Sequence, residues 1–333
     1  MAEKIPLFIL AGIDQNDDFG RMRIFELKFR GRGILEYLID EAKKSDCFSE
    51  IFLVGDRKLK EQIHLTCFFT PLEIKSPRFW RKYHTSRNSE SDLDAPHEFL
   101  TGFIEAEKSL WKNIKIVHDF VKNKYQDENI QIAVITSDIL PSAVDFREFF
   151  SKCQPFLDND IILLGTPSEK TIKKRGKHFV KKNKDAPTLP YCGTGGLYIL
   201  RPLHLREKFI YFLASLRMPR RFRKIELIGN RLFVDASKSF LGLLTFVGKI
   251  IRIIINFIFF SKEILLGIKT IIYHQKRTLT FDELQMAVSK AFIKKECHHS
   301  KESFCHIEIF ENPVFIQDID NEEDYKLLSG LPR

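Results

Sequence analysis

The chain has 333 residues, of which 44% are apolar and 29% charged. That is enough for one large core or two small ones and excludes a low-complexity chain. The net charge of +9 suits nucleotides, nucleic acid or an anionic membrane surface and selects none of them. Cysteines stand at 47, 67, 153, 192, 297 and 305 without a CxxC pair, and Met1-Ala2-Glu3-Lys4 leads into a short run containing Pro6 rather than a signal-peptide core, so reduced thiols and a cytoplasmic protein are expected.

Residues 5–10 predict a buried strand that stops at Ala11-Gly12, ahead of the acidic loop Ile13-Asp14-Gln15-Asn16-Asp17-Asp18 and of Gly20-Arg21-Met22. A strand that gives way to a loop at glycine is a common phosphate-binding start, although aspartates at 14, 17 and 18 would repel phosphate. Residues 31–46 predict a turn and an amphipathic helix with Ile34, Leu35, Leu38, Ile39 and Ala42 on one face. A second buried strand, 50–56, ends at Gly55-Asp56, and this strand–helix–strand order implies a right-handed crossover and a parallel sheet. A short helix at 58–63 and an irregular stretch at 66–96 follow. Residues 97–125 predict one long helix or two, 130–138 a third buried strand ending at Ser137-Asp138, 145–156 a helix and 160–166 a fourth strand. The alternation implies a three-layer, doubly wound, mostly parallel α/β sheet. Ligands of such sheets sit at the carboxyl ends of the strands, here Ala11-Gly12, Gly55-Asp56 and Ser137-Asp138.

From 170 to 190 the chain is basic, and 191–202 predicts a glycine turn and a strand. Residues 203–300 are expected to form a mainly helical, apolar insertion within a single domain spanning 1–333. Its most apolar part, 239–273, is interrupted by Lys249, Arg252, Lys262, Glu263 and Lys269, and its longest apolar run falls short of the roughly 20 residues of a membrane span. Buried packing is the first expectation, and peripheral contact with a membrane surface the alternative. The tail group Cys297 to His306 has two Cys and three His without a standard zinc spacing. Residues 315–330 predict a strand, an acidic corner and a short helix.

Two places suit metal chemistry. Asp138 ends a central parallel strand, where a carboxylate is well placed for Mg²⁺, which takes oxygen ligands including substrate phosphates; a plain turn or capping aspartate is the alternative. Asp318 and Asp320 point the same way if the corner is extended, with a solvated acidic turn as the alternative. If the tail returned beside the third strand, Asp138 and Asp320 would share one cation.

The ordered pieces "LAG", "RM", "GRGILEYLIDEA", "IFLVGD", "TSDILP", "GTGGLYILRP" and "IDNEEDYKLL" resemble the GT-A-like nucleotidyltransferases, including sugar-phosphate, alditol-phosphate and MobA-like molybdopterin nucleotide transferases. The resemblance covers most of 5–205 and 310–328. It implies a loop around a nucleoside triphosphate at Leu10, Ala11 and Gly12, a phosphate clamp at Arg21 with Arg23 and Lys28 as the other cations in reach of that role, and a nucleotide lying near a helix start at Gly102. It also implies acceptor binding at Gly195 and Gly196 and Mg²⁺ on Asp138 and Asp320, with Arg21, Asp138 and Asp320 as the catalytic set. The chain departs from the family pattern at Ile13, where glycine is usual, near Ile24, where lysine is usual, and at Gly33, where proline is usual. The implied reaction moves a nucleotidyl group from a triphosphate to a phosphorylated sugar, alcohol or lipid precursor, releasing pyrophosphate. Two alternatives stay open: a catalytically inactive binding or scaffold protein on the same fold, at a membrane surface or not, and a glycosyltransferase using a nucleotide sugar. No nucleic-acid motif accompanies the basic runs, so no nucleic-acid partner is expected.

Overall fold

The computed structural model describes residues 4–11, 27–57, 59, 72–74, 101–106, 110–170, 177–192, 195–207, 278–297, 304–319 and 322–329. The strands in chain order are β1 (Ile5–Ala11), β2 (Lys28–Phe29), β3 (Arg32–Gly33), β4 (Phe48–Gly55), β5 (Leu72–Ile74) and β6 (Gly102–Glu105), then β7 (Ile132–Thr136), β8 (Ile161–Pro167), β9 (Lys177–Lys181), β10 (Thr188–Cys192), β11 (Leu197–Leu200) and β12 (Cys305–Ile309). The helices are α1 (Ile34–Ser45), α2 (Leu110–Tyr125), α3 (Ala143–Cys153), α4 (Phe281–Phe292) and α5 (Glu322–Ser329).

The continuous apolar run of β1 places it at the centre of a sheet covered on both faces. It pairs in parallel with β4 on one side and β7 on the other, with Ala11 opposite Gly55 and Leu10 opposite Thr136. The sheet runs β5-β6-β4-β1-β7-β11-β8-β10-β9, and β12 adds in parallel to β8. Among the described strands of this sheet, β10 and β11 run against the rest, and β9, antiparallel to β10, runs with the rest. Side-chain alternation along β1 divides the core. Ile5, Leu7, Ile9 and Ala11 face α1 and α3, where they meet Leu38, Phe146 and Phe149. Phe8 faces α2 and stacks on Phe52 at 5.1 Å and edge-on to Phe120 at 5.9 Å. On that second face α4 covers β8 and β12 through Leu284, Val288, Ile161 and Ile307. The result is the three-layer α/β architecture expected.

Two expected elements are corrected. Within 97–125, read as one long helix or two, Leu110–Tyr125 is helix α2 but Gly102–Glu105 is strand β6, parallel to β4. Its Phe103 and Ile104 are buried, and that small apolar group fits a strand that packs beside β4 as well as the start of a helix. The strand read at the beginning of 315–330 is replaced by a short 3-10 turn at Pro313–Phe315 and an irregular segment. Pro313 has no N–H for a ladder, and the late strand lies earlier, at β12. The apolar stretch 239–273 lies outside the described residues; among those described, no helix is long and apolar enough to cross a membrane.

Candidate active site

Because β1, β4, β6 and β7 are parallel, their carboxyl ends form one edge. Ala11, Gly55, Glu105 and the Ser137-Asp138 turn all lie along it. Ser137 N–H donates to the Leu10 carbonyl at 3.1 Å, and Ala106 N–H to the Gly55 carbonyl at 2.6 Å. The strand ends are therefore tied to one another rather than splayed. Ala11 is fully buried and Leu10 half-buried, so what β1 offers a ligand at this edge is backbone. Gly12 and Arg21, the next residues of the expected phosphate loop, lie outside the described residues.

The tail of the chain comes to the same edge. Ile319 N–H donates to the Asp138 carbonyl at 2.8 Å. This bond fixes the residue before Asp320 against the backbone of Asp138; Asp320 itself lies outside the described residues. Asp138 and Asp318 are both half-buried. An apolar node holds the junction: Phe29, Ile34, Tyr37, Leu140 and Ile319 are buried together, with Leu27 and Tyr325 against them. Phe29 meets Tyr37 edge-to-face at 4.8 Å. The Tyr325 hydroxyl donates to the Lys28 carbonyl at 2.5 Å.

Lys28 belongs to the β2–β3 hairpin, with its side chain exposed beside that node. The hairpin turns through Arg30 at φ 51° and Gly31 at φ 80°. A two-residue turn with both central residues at positive φ matches the twist of a hairpin, and glycine adopts that conformation without strain. The chain then enters α1 with Gly33 N–H bonded to Glu36 Oε2 at 3.0 Å. The structure thus brings together Leu10, Ala11, Asp138, Ile319 and the Lys28 hairpin at one end of the sheet.

Gly102 sits elsewhere than expected. It is the first residue of β6, buried between β4 and β5 opposite Phe52 and Leu72. It therefore lies three positions back from the carboxyl edge, which Glu105 occupies, and not at a helix start.

Gly195 and Gly196 lie where the sheet meets the tail. Gly195 N–H donates to the Leu164 carbonyl at 3.2 Å, Gly196 N–H to the Phe315 carbonyl at 2.6 Å, and the Gly196 carbonyl accepts from Thr136 N–H at 2.9 Å. A Cβ at 195 would overlap the Phe315 carbonyl oxygen and come within 2.8 Å of Ile316 Cγ1; one at 196 would come within 2.5 Å of Thr136 Oγ1. Close approach of the tail backbone accounts for Gly195 and of the Thr136 side chain for Gly196, and the bond from Gly196 to Phe315 seats the tail beside β7.

Burial raises the thiol of Cys297 in the tail. Burial pushes the Cys305 thiol up to about 12 and raises Cys153, beside Glu308, further still. Cys305 is part of β12, and His306 stacks on Phe156 at 3.6 Å and pairs with Glu308 at 2.9 Å. Among the described residues, the group of metal-type side chains that converges is His118, Asp119 and Glu207. It sits on the α2 face, where Lys115 Nζ already occupies the Asp119 carboxylate at 2.6 Å. Sequence reading passed over Thr166, at the end of β8, and Gln317, in the tail, both buried at this edge. The available signal for Thr166 was that the fourth strand, like the third, ends in polar residues at its carboxyl end.

No protein-family model matches the chain, and no curated protein matches it. Solved structures do. A hypothetical transferase from Thermus thermophilus is similar at 12% identity and a TM-score of 0.51, covering 97% of this chain and 99% of that one. The two share a fold. That fold is the mostly parallel, GT-A-like α/β sheet with helices on both faces. At lower scores the chain is also similar to 4-diphosphocytidyl-2C-methyl-D-erythritol synthase from Anaerococcus prevotii, with 12% identity, a TM-score of 0.41 and coverage of 98% and 97%. The CMP-2-keto-3-deoxy-manno-octonic acid synthetase complexed with CTP is similar at 11% identity and a TM-score of 0.39, with coverage of 69% and 86%.

Proposed function

We propose that the chain is a nucleotidyltransferase that moves a nucleotidyl group from a nucleoside triphosphate to a phosphorylated small molecule. The observation that carries this reading is the 2.8 Å bond from Ile319 N–H to the Asp138 carbonyl. It joins the two acidic segments, far apart in sequence, that the family resemblance assigns to one cation. The donor set fits magnesium in kind: carboxylate oxygens at a strand end, next to the edge where phosphates would lie. Asp138 and Asp320 would hold the ion, which when bound would neutralise phosphate charge.

The rest of the site follows from the chain's own groups. The backbone at Leu10, Ala11 and Gly12 would flank the triphosphate. Arg21 would bind phosphate oxygens in a bidentate manner, and Lys28, exposed on its hairpin, would add a point charge. An oxygen of the acceptor phosphate attacks the α-phosphorus, the bond to the β-phosphate oxygen breaks, and pyrophosphate leaves. Positioning and charge compensation supply most of such catalysis. Gly195 and Gly196 border the acceptor's side of the cleft.

The test is a pyrophosphate-release screen of the four common NTPs against sugar and alcohol phosphates with Mg²⁺. Release with at least one pair is expected, falling by about 10²-fold or more in Asp138→Ala and to background with EDTA. Release that survives Asp138→Ala unchanged would remove the metal assignment. No release with any pair would favour a non-catalytic binding protein on this fold.

A further inference from the structure

Thr166 and Gln317 each bury a polar atom that has no hydrogen-bond partner among the described residues. Thr166 Oγ1 belongs to a residue 0% exposed, and Gln317 Nε2 to one 5% exposed. Native folds leave few such atoms, and each calls for a reason. The surroundings of these two are otherwise well satisfied: Gln317 N–H bonds the Pro313 carbonyl at 3.1 Å, and Phe310 N–H bonds the Gly165 carbonyl at 2.8 Å.

Both residues lie at the carboxyl edge. Strand β8 runs against β11, which runs against β7. The end of β8 therefore points the same way as the end of β7, where Asp138 sits. The pairing of β12 with β8 stops at Gly165, one residue before Thr166. Side chains alternate along a strand, so Thr166 shares a face with Ile162 and Leu164, which pack with Phe310 and Phe315. Gln317 follows Phe315 by two positions and precedes Ile319, the residue bonded to Asp138, by two. Gly195 bonds Leu164 and Gly196 bonds Phe315, so Thr166 and Gln317 flank the glycine pair from its two sides.

The chemistry of the two atoms agrees. An amide nitrogen only donates, and a hydroxyl donates readily. Two unmet donors at a substrate edge call for ligand oxygens. We propose that Thr166 Oγ1 and Gln317 Nε2 select the acceptor by donating to oxygens of a hydroxylated phosphate ester. This rests on the nucleotidyltransferase reading above. Both atoms are closed to solvent, so engagement requires the tail to shift, and backbone bonds at Phe315 and Ile319 hold it there.

The test uses the full chain and the variants Thr166→Val, Thr166→Ser and Gln317→Met, with glucose 1-phosphate and glycerol 3-phosphate as probes. Thermal melting, calorimetric binding of each ester and, where pyrophosphate is released, KM for ester and for NTP are measured. Thr166→Val and Gln317→Met are expected to melt no lower than wild type, because each removes an unmet donor. They should weaken ester binding by about five-fold or more, in line with the loss of one hydrogen bond, and leave the KM for NTP unchanged. Thr166→Ser should restore binding. Wild type that binds an ester with the same affinity as both variants would overturn this proposal alone, leaving the two atoms as packing defects or water sites. Wild type that binds neither ester, with or without NTP and Mg²⁺, would overturn it together with the acceptor half of the functional reading.

Discussion

At Gly195 a single hydrogen decides how the tail sits. Replacing it with methyl drives a Cβ into the Phe315 carbonyl oxygen, and the neighbour there is backbone that cannot rotate away. Gly195→Ala is expected to destabilise the protein by about 1–3 kcal/mol, read as a lowered urea midpoint at unchanged m-value. A midpoint equal to wild type would mean that the tail adjusts freely. The sequence made this glycine conspicuous as an expected acceptor position, but not the close crossing with the tail, because "GTGG" before a strand does not report which distant backbone will pass beside it. Asp138 was legible as a strand-end carboxylate. Its meeting with the tail was expected only through the family resemblance, since no local pattern reports which distant backbone donor reaches a given carbonyl. Gly102 was misjudged for a related reason: four residues of strand are too few for a period to stand out from a neighbouring helical pattern.

Among the elements, α3 links the sheet to the tail. Ser142 and Asp145 cap it reciprocally: Asp145 Oδ2 accepts from Ser142 N–H at 2.7 Å, and Ser142 Oγ accepts from Asp145 N–H at 3.3 Å. The other Asp145 oxygen accepts from Asn312 Nδ2, and Asn312 Oδ1 accepts from Val314 N–H at 3.1 Å to start the 3-10 turn. Asp145 is 8% exposed, so its carboxylate serves two elements with little help from water. Asp145→Ala is expected to cost about 2–3 kcal/mol, the sum of a lost cap and a stranded Asn312 amide, with Asn312→Ala partly non-additive in a double-mutant cycle. Full additivity would separate the helix from the turn. The strands and helices of the first half were legible because long apolar runs and 3.6-residue periods are strong signals. The 3-10 turn was not, because it is held by a partner more than 160 residues away rather than by its own propensity.

For the whole molecule, the described residues on either side of 208–277 lie at the two ends of α4. Leu205 bridges to Ile293, and Arg206 N–H bonds the Phe292 carbonyl at 2.6 Å; at the other end Lys181 bridges to Thr280 and bonds the Leu279 carbonyl at 2.8 Å. A helix of 12 residues is about 18 Å long, which about eight extended residues span with room to spare. A chain with 208–277 replaced by a Gly/Ser linker of that length is expected to keep a single cooperative melting transition by circular dichroism. A broadened transition would show that the apolar stretch contributes to the same core. The layer order was legible from alternation alone, whereas the return of the tail to the first hairpin was not, because it is written only in the apolar node around Ile319. That node has a consequence for biosynthesis. Lys28 and Tyr325, joined by one hydrogen bond, are separated by 297 positions, and closing so long a loop in an unfolded chain would cost about 5 kcal/mol in entropy. Prior assembly of the sheet spares most of that cost, so the strands and helices up to β12 can form first, and a chain released before Ile319 would keep its sheet but lack the closure of the tail on the Asp138 backbone.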